Sequence, residues 1–272
     1  MDINATTSVI CILIAVFALA MYVLADGFDL GIGILLLITK DLDERDELVE
    51  TIAPIWDGNE TWLILAAITL FGAFPTAYSV LVPAFYLPFL VMLVALGFRG
   101  VSIEFRSETR FKHFWDYAFS IGSIVAAFCQ GLVAGALLSG DVVVDHERFA
   151  GNTLDVFTWF NMLVGLTTVT AYAALGAGWT YWRTEGQLQH LQKLLLRQAL
   201  IAFLVLTVLT CTFSLGAFRI EQLWSSQPTM LIVVAVLSFV LWALALRSVD
   251  GKSDCRPLFF SMGPCLYCYL DS

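Results

Sequence analysis

Long apolar runs separated by short polar stretches dominate this 272-residue chain. A membrane-spanning helix needs about 20 consecutive apolar residues. Seven runs meet this requirement: 8–39, 56–75, 77–98, 117–138, 157–181, 199–218 and 229–247. An eighth run begins at Pro257 and holds only 14 residues up to Leu270, about 21 Å of helix, which is short of a bilayer core of about 30 Å. The pattern predicts an all-α polytopic membrane protein, a bundle of seven full transmembrane helices and a truncated eighth.

The first run is unusually long. A helix over its 32 residues would measure about 48 Å, so it must tilt strongly or project from a core of about 30 Å. No stretch between the runs is long or polar enough to be a linker. We therefore expect residues 1–272 to form a single integral membrane domain.

Composition excludes the soluble classes. The chain is 59% hydrophobic and 14% charged, with a mean hydropathy of +0.83, whereas soluble domains are about 45–50% apolar and about 25% charged. The net charge of −9 owes much to a block of acids in residues 41–50, which we expect to be a solvated loop because like charges stay hydrated. No basic cluster with interleaved aromatics occurs, so nucleic-acid binding has no support.

The basic residues give the orientation. If the N-terminus lies outside, twelve of the fourteen Lys and Arg side chains fall in loops on the cytoplasmic side. These twelve are Lys40, Arg45, Arg99, Arg106, Arg110, Lys112, Arg183, Lys193, Arg197, Arg247, Lys252 and Arg256. Only Arg148 and Arg219 fall outside. The positive-inside rule therefore predicts an external N-terminus.

Two carboxyl groups lie in the first apolar run. Asp26 and Asp29 are three residues apart and share a helix face, and Gly27 and Gly31 form a notch against which a neighbouring helix could pack. Carboxylates in hydrocarbon are costly and mark ion routes or buried partners. The alternative is that both acids are hydrated at the membrane edge.

A second polar motif opens the second run. Asp57 and Glu60 are again three residues apart, with Asn59 between them and Trp56 and Trp62 on either side. With the N-terminus outside, this motif and the end of the first helix lie in the same half of the membrane. The acids could form a proton relay or pair with arginines; the alternative is an aromatic belt with solvated polar groups at the interface.

The third motif follows the third run and holds Arg99, Glu104 and Arg106. Either arginine could neutralise an acid of the earlier motifs. The alternative is simple positive-inside anchoring.

Histidine and cysteine point away from a cofactor site. His113, His146 and His190 all fall in predicted loops, and a membrane haem is commonly held by histidines within spans. No set of His, Cys and carboxylate residues has metal-ligand spacing inside a run. Cys265 and Cys268 have redox or metal spacing, but no second ligand pair accompanies them. We expect this chain to bind no haem and no metal.

The three motifs, in this order, resemble subunit II of the cytochrome bd-type quinol oxidases, including the cyanide-insensitive branch. The likeness covers about residues 8–250. The matching segments are Asp26-Gly27-Phe28-Asp29-Leu30-Gly31, Pro54-x-Trp56-Asp57-Gly58-Asn59-Glu60-x-Trp62-Leu63, Phe98-Arg99 with Arg106, and Gly176-Ala177 followed by Arg183-Thr184-x-Gly186-x-Leu188.

The resemblance implies a role in a respiratory complex. It implies a subunit of a quinol:O₂ oxidoreductase in the bacterial cytoplasmic membrane, with the N-terminus on the periplasmic side. Haems b and d and the quinol site would belong to the partner subunit I, which this chain would stabilise. A small single-span third subunit and contacts with lipid or quinone are further partners that it allows.

The resemblance also implies site roles. The position of Asp57 would line a proton path, and that of Trp62 would lie near an apolar route for O₂. Asp26, Asp29, Glu60, Arg99 and Arg106 carry over only as motif residues, with a structural or a proton-path role left open.

The C-terminal part departs from the family, whose members continue through complete eighth and ninth spans. Residues 251–272 are therefore expected to be an atypical, truncated end. Two other functions remain open at this stage: a proton- or cation-coupled transporter that works alone, and a non-catalytic scaffold subunit. The transporter would be expected to carry an inverted repeat and broken midplane helices, and neither is evident.

Overall fold

A computed structural model describes residues 5–214 and 228–250. Within these ranges the helices are α1 Ala5–Leu36, α2 Leu42–Glu50, α3 Trp56–Ala73, α4 Pro75–Ala84, α5 Tyr86–Glu108, α6 Lys112–Ser139, α7 Trp159–Arg183, α8 Gly186–Ser214 and α9 Pro228–Asp250. A short antiparallel hairpin, β1 Val144–Asp145 and β2 Arg148–Phe149, lies between α6 and α7. The predicted eighth run and the Cys265/Cys268 pair lie outside the described residues.

The predicted helical membrane fold is confirmed at the level of its class. Five helices of the described ranges are long and apolar enough to cross a membrane: α1, α5, α6, α7 and α8. The first of them has the predicted length of 32 residues. The sequence pattern predicts seven full spans. The two predicted spans that are not among these five helices correspond to α3 and α9.

The predicted third span, 77–98, is wrong as a single helix. The chain is interrupted at Phe85, whose φ of −104° and ψ of 21° are not helical, so that α4 ends and α5 begins around it. Pro88 fits here because a proline is tolerated in the first turn of a helix, where its missing N–H is not needed. Since α5 then continues to Glu108, the motif that holds Arg99 and Arg106 lies on a helix and not in a loop.

The acidic block was predicted to be a solvated loop, and this is also wrong. Asp41 accepts a hydrogen bond from the backbone N–H of Asp43 at 2.8 Å and so caps α2, as short polar side chains do at helix N-termini. Leu48, Val49 and Ile52 are buried against the bundle. An apolar face at helical spacing therefore holds the acidic segment on the protein.

Helix α1 lies at the centre of the bundle and packs against α3, α6 and α7. Every residue from Ala25 to Leu36 is buried. Gly31 and Gly176 let α1 and α7 approach closely: a Cβ at Gly31 would lie 2.0 Å from the carbonyl oxygen of Tyr172. One turn away, the rings of Phe28 and Trp179 stack with their centroids 4.3 Å apart. This packing fixes the part of α1 that holds its two acids.

Candidate functional site

Arg99 joins three helices in the interior of the protein. Its side chain on α5 is fully buried. The Nη1 atom donates to the carboxylate of Asp26 on α1, and Nη2 donates to Oε2 of Glu60 on α3 at 2.8 Å. The planar guanidinium suits such a forked arrangement. Arg99 therefore lies among the acids of the first two motifs.

Asp29 belongs to the same group but has no cation of its own. It is completely buried, and its Oδ2 atom accepts a hydrogen bond from Nδ2 of Asn59 on α3 at 2.9 Å. Together with Asp26 and Glu60 it gives three carboxyl groups around the single guanidinium of Arg99. We call these five residues the acid–arginine group.

Buried polar atoms remain unpartnered within this group. Among the described residues, Oδ2 of Asp26, Oδ1 of Asp29 and Nε of Arg99 have no hydrogen-bond partner. Leaving a buried polar atom unsatisfied costs about 1–3 kcal/mol. The group therefore retains hydrogen-bonding capacity.

Trp56 covers one side of the arginine. The guanidinium carbon of Arg99 lies 5.6 Å from the centre of the Trp56 ring, within the range of a cation–π contact. A Cβ at Gly100 would lie 3.1 Å from the same ring. The absence of a side chain at Gly100 therefore makes room for the tryptophan beside the arginine.

A groove of about 460 Å³ lies between α3 and α5 beside the acid–arginine group. Its polar lining includes Asp57, Glu60 and Glu104, and Trp56, Ile64 and other apolar residues complete it. Asp57 and Glu104 are exposed, whereas the Glu60 side chain is 28% exposed. Glu60 therefore reaches both the open groove and the buried Arg99.

Trp62 lies apart from this groove. Its half-buried ring contacts Phe17 of α1 edge to face, with the centroids 5.7 Å apart. Phe17 itself is 53% exposed. The tryptophan thus sits at the α1–α3 contact on an apolar surface of the bundle.

Arg106 does not join the acids of the first two motifs. Its Nε atom donates to Oδ1 of Asp116 at 2.6 Å, and Nη1 lies 2.7 Å from Oδ1 of Asp46. Arg45 donates to the other oxygen of Asp116 at 2.9 Å, and Lys112 to Oδ2 of Asp46 at 2.6 Å. These five residues form a second ion-paired group, the α2–α6 cluster, which ties α2 to α5 and α6.

Sequence reasoning missed this second group. Asp46 was included in a solvated block, and Asp116 stood one residue before the predicted fourth span. The available signal was the apolar face of Leu48, Val49 and Ile52, which predicts that one side of α2 is turned toward the bundle.

Asp46 lies outside the spans, and its titration reflects its partners. Partial burial raises the pKa of Asp46, but the hydrogen bonds from Lys112 and Arg106 and their positive charges outweigh this effect. Its pKa therefore lies below the ordinary value for aspartic acid.

The three histidines all lie at exposed positions. His113 is exposed beside Arg45, with 3.5 Å between its Nδ1 and the Nη1 of that arginine. The side chain of His146 in the hairpin turn is 95% exposed, and His190 is exposed on α8. Within residues 5–214 and 228–250, no group of three or more His, Cys, Asp or Glu side chains is arranged to hold a metal ion.

The fold and the acid–arginine group define a polytopic α-helical membrane protein with ionisable side chains in its core. Residues 7–270 match the family "Cytochrome bd terminal oxidase subunit II". The chain belongs to that family.

Curated relatives agree with this assignment. Cytochrome bd-I ubiquinol oxidase subunit 2 of Escherichia coli (strain K12) is 35% identical over 175 residues, which are 61% of this chain and 46% of that protein. Cytochrome bd ubiquinol oxidase subunit 2 of Bacillus subtilis (strain 168) is 29% identical over 250 residues, 89% of this chain and 72% of that one. The chain spans about half the length of the first of these relatives.

A solved structure supports the fold. A chain of the bd oxidase from Geobacillus thermodenitrificans superimposes with a TM-score of 0.69 at 20% sequence identity, covering 91% of this chain and 77% of that chain. At this level of identity the likeness extends to the fold alone.

Proposed function

We propose that this chain is subunit II of a quinol:O₂ oxidoreductase of the respiratory chain, where it stabilises a haem-bearing subunit I. Family membership and the names of the curated relatives support this role over a stand-alone transporter. The observation that carries it is the position of Glu60, which links an open groove to a buried guanidinium.

In this proposal the acid–arginine group forms part of a proton path from the cytoplasm. Asp57 at the groove takes up a proton, Glu60 passes it inward, and Asp26 and Asp29 receive it. Arg99 stays charged, since guanidinium groups do not lose their proton in proteins, and it offsets part of the negative charge. Like charges disfavour full ionisation. One of the three carboxyl groups around this single cation can therefore hold a proton.

The topology that suits this role has seven full spans, with α3 and α9 among them, and a periplasmic N-terminus. It places the groove and the α2–α6 cluster in the cytoplasmic half of the bacterial inner membrane. The distribution of basic residues supports this orientation.

Haems b and d are assigned to subunit I, which would supply the redox chemistry with quinol as the electron donor. The exposed positions of the three histidines favour that division. A small third subunit, lipid or quinone would contact the exposed apolar faces of the bundle. Trp62, beside Phe17 on such a face, would border a route for O₂.

The proton path is tested with the assembled oxidase. Asp57→Asn and Glu60→Gln should each lower quinol-driven O₂ consumption about tenfold or more, as the loss of a proton-transfer group does, while the haem spectrum of the complex stays unchanged. Glu104→Gln is the matched control, because Glu104 lines the same groove but has no role in the proposed path. Normal turnover in both variants would contradict the path, and a chain that copurifies with no haem subunit would contradict the role itself.

A further inference from the structure

Two buried tyrosines and a half-buried glutamine lie next to the acid–arginine group, on α1, α7 and α6. Tyr22 on α1 and Tyr172 on α7 are 3% and 2% exposed. Gln130 on α6 connects them: its Nε2 atom donates to the Tyr22 hydroxyl at 2.7 Å, and its Oε1 atom accepts from the Tyr172 hydroxyl at 2.7 Å. None of these residues has a role in the proposed function.

The direction of these hydrogen bonds leaves the O–H of Tyr22 unused. Tyr172 donates to Gln130, and Gln130 donates to Tyr22. The oxygen of Tyr22 thus acts as an acceptor, and its own O–H is free to donate, because a phenol can do both. A buried donor rarely remains without an acceptor.

The acceptor within reach is Asp26. Tyr22 and Asp26 are four residues apart on α1, so their side chains share a face of the helix, and they lie close enough to interact directly. The Asp26 carboxylate uses one oxygen for Arg99, while the other, Oδ2, is fully buried and has no hydrogen-bond partner in the described part of the chain. One free donor and one free acceptor thus adjoin each other.

We propose that Tyr22 is a positioning residue for Asp26: its hydroxyl, oriented by Gln130 and Tyr172, donates to Oδ2 and holds the carboxyl group against Arg99. The result is a continuous series of donors from α7 through α6 to α1, ending on the acid that contacts the arginine. Its effect on oxidase turnover rests on the proposed function, whereas the hydrogen bond itself does not.

Infrared spectroscopy of the full chain in its complex tests this proposal. The stretching band of Asp26 is assigned by its loss in Asp26→Asn. Tyr22→Phe, which keeps the ring and removes only the hydroxyl, should shift this band, because a hydrogen bond to a carboxyl oxygen weakens its C–O stretch. Gln130→Leu should shift the band in the same direction, because the Tyr22 hydroxyl then loses the hydrogen bond that orients it.

Tyr117→Phe is the matched control, because Tyr117 is an exposed tyrosine on α6, and it should leave the Asp26 band in place. Tyr22→Phe should have no further effect on the carboxyl region in an Asp26→Asn background. An unshifted Asp26 band in folded Tyr22→Phe would overturn the proposal and leave the oxidase role intact. Loss of turnover in Asp57→Asn is a separate measurement and decides only the proton path.

Discussion

The carboxylate of Asp116 accepts a hydrogen bond from Nε of Arg106 at 2.6 Å, and the two side chains are 3% and 5% exposed. They lie on either side of the turn between α5 and α6. Because Asp116 also accepts a hydrogen bond from Arg45 of α2, one acid holds this short helix against the bundle.

Replacing Asp116 should destabilise the packing of α2 against α5 and α6. Asp116→Ala leaves two buried arginines without their shared partner, and removal of one member of a buried ion pair costs about 3–5 kcal/mol. We expect a lower thermal midpoint for the detergent-solubilised complex and less protein in membranes. The control is Asp145→Ala in the hairpin, whose side chain is 72% exposed and should tolerate the change; equal loss in both variants would contradict a specific role for Asp116.

Arg99→Gln should strongly destabilise the protein, and a second substitution should restore part of the lost stability. It leaves Asp26 and Glu60 without their cation in the interior, again a cost of about 3–5 kcal/mol. Adding Asp26→Asn removes one of the uncompensated charges, so the double variant should unfold at a higher temperature than the single one. Thermal unfolding of the parent, Arg99→Gln, Asp26→Asn and the double variant gives the coupling, and a double variant that loses the sum of both single effects would contradict direct pairing.

Two glycine variants test the packing of α1 against α7 without changing any ionisable group. Gly31→Ala places a methyl group 2.0 Å from a backbone oxygen of α7, and a clash with backbone cannot be relieved by a rotamer change. Overpacking typically costs about 1–3 kcal/mol or more, so α1 and α7 should separate and assembly should fall. Gly97→Ala is the control in α5, since nothing lies within 4 Å of its added Cβ. Equal yields of both variants would contradict a close contact between α1 and α7 at Gly31.

The stability that the α2–α6 cluster gives the protein should fall at acid pH, because Asp46 is then protonated. Its pKa is lower in the folded protein than in the unfolded chain, where aspartate titrates near pH 4. The ionised group therefore contributes its full stabilisation above about pH 4, and this is lost as the pH falls through the folded pKa.

Asp46→Asn removes this dependence, so the difference in thermal midpoint between the variant and the parent should be largest near neutral pH and shrink in acid. Glu47→Gln, on an exposed position of the same helix, should show no such convergence. A difference that stays constant with pH would rule out the ion pairs as its source.

Sequence reasoning reached the motif residues but not their pairing. The spacing of Asp26 and Asp29, and of Asp57 and Glu60, assigned each pair to one helix face. It left either Arg99 or Arg106 as a partner for these acids, because position along a chain does not say which helices are neighbours. The packing of α5 against α6 and of α1 against α3 turned one arginine to the first two motifs and the other to Asp46 and Asp116.

The sequence by itself determined the helical membrane class, the long first helix and the family, because hydrophobic run length and contiguous motifs are local properties of the chain. Only the tertiary structure decided the break at Phe85, the docking of α2 and the Tyr22–Gln130–Tyr172 series. The docking of α2 and this series depend on contacts between residues far apart in the chain, and the buried Phe85 packs in a cluster with Leu132 and Ala136 of α6. Gln130 lies 108 residues from Tyr22, and the close approach of α1 and α7 at Gly31 helps bring the two tyrosines to it.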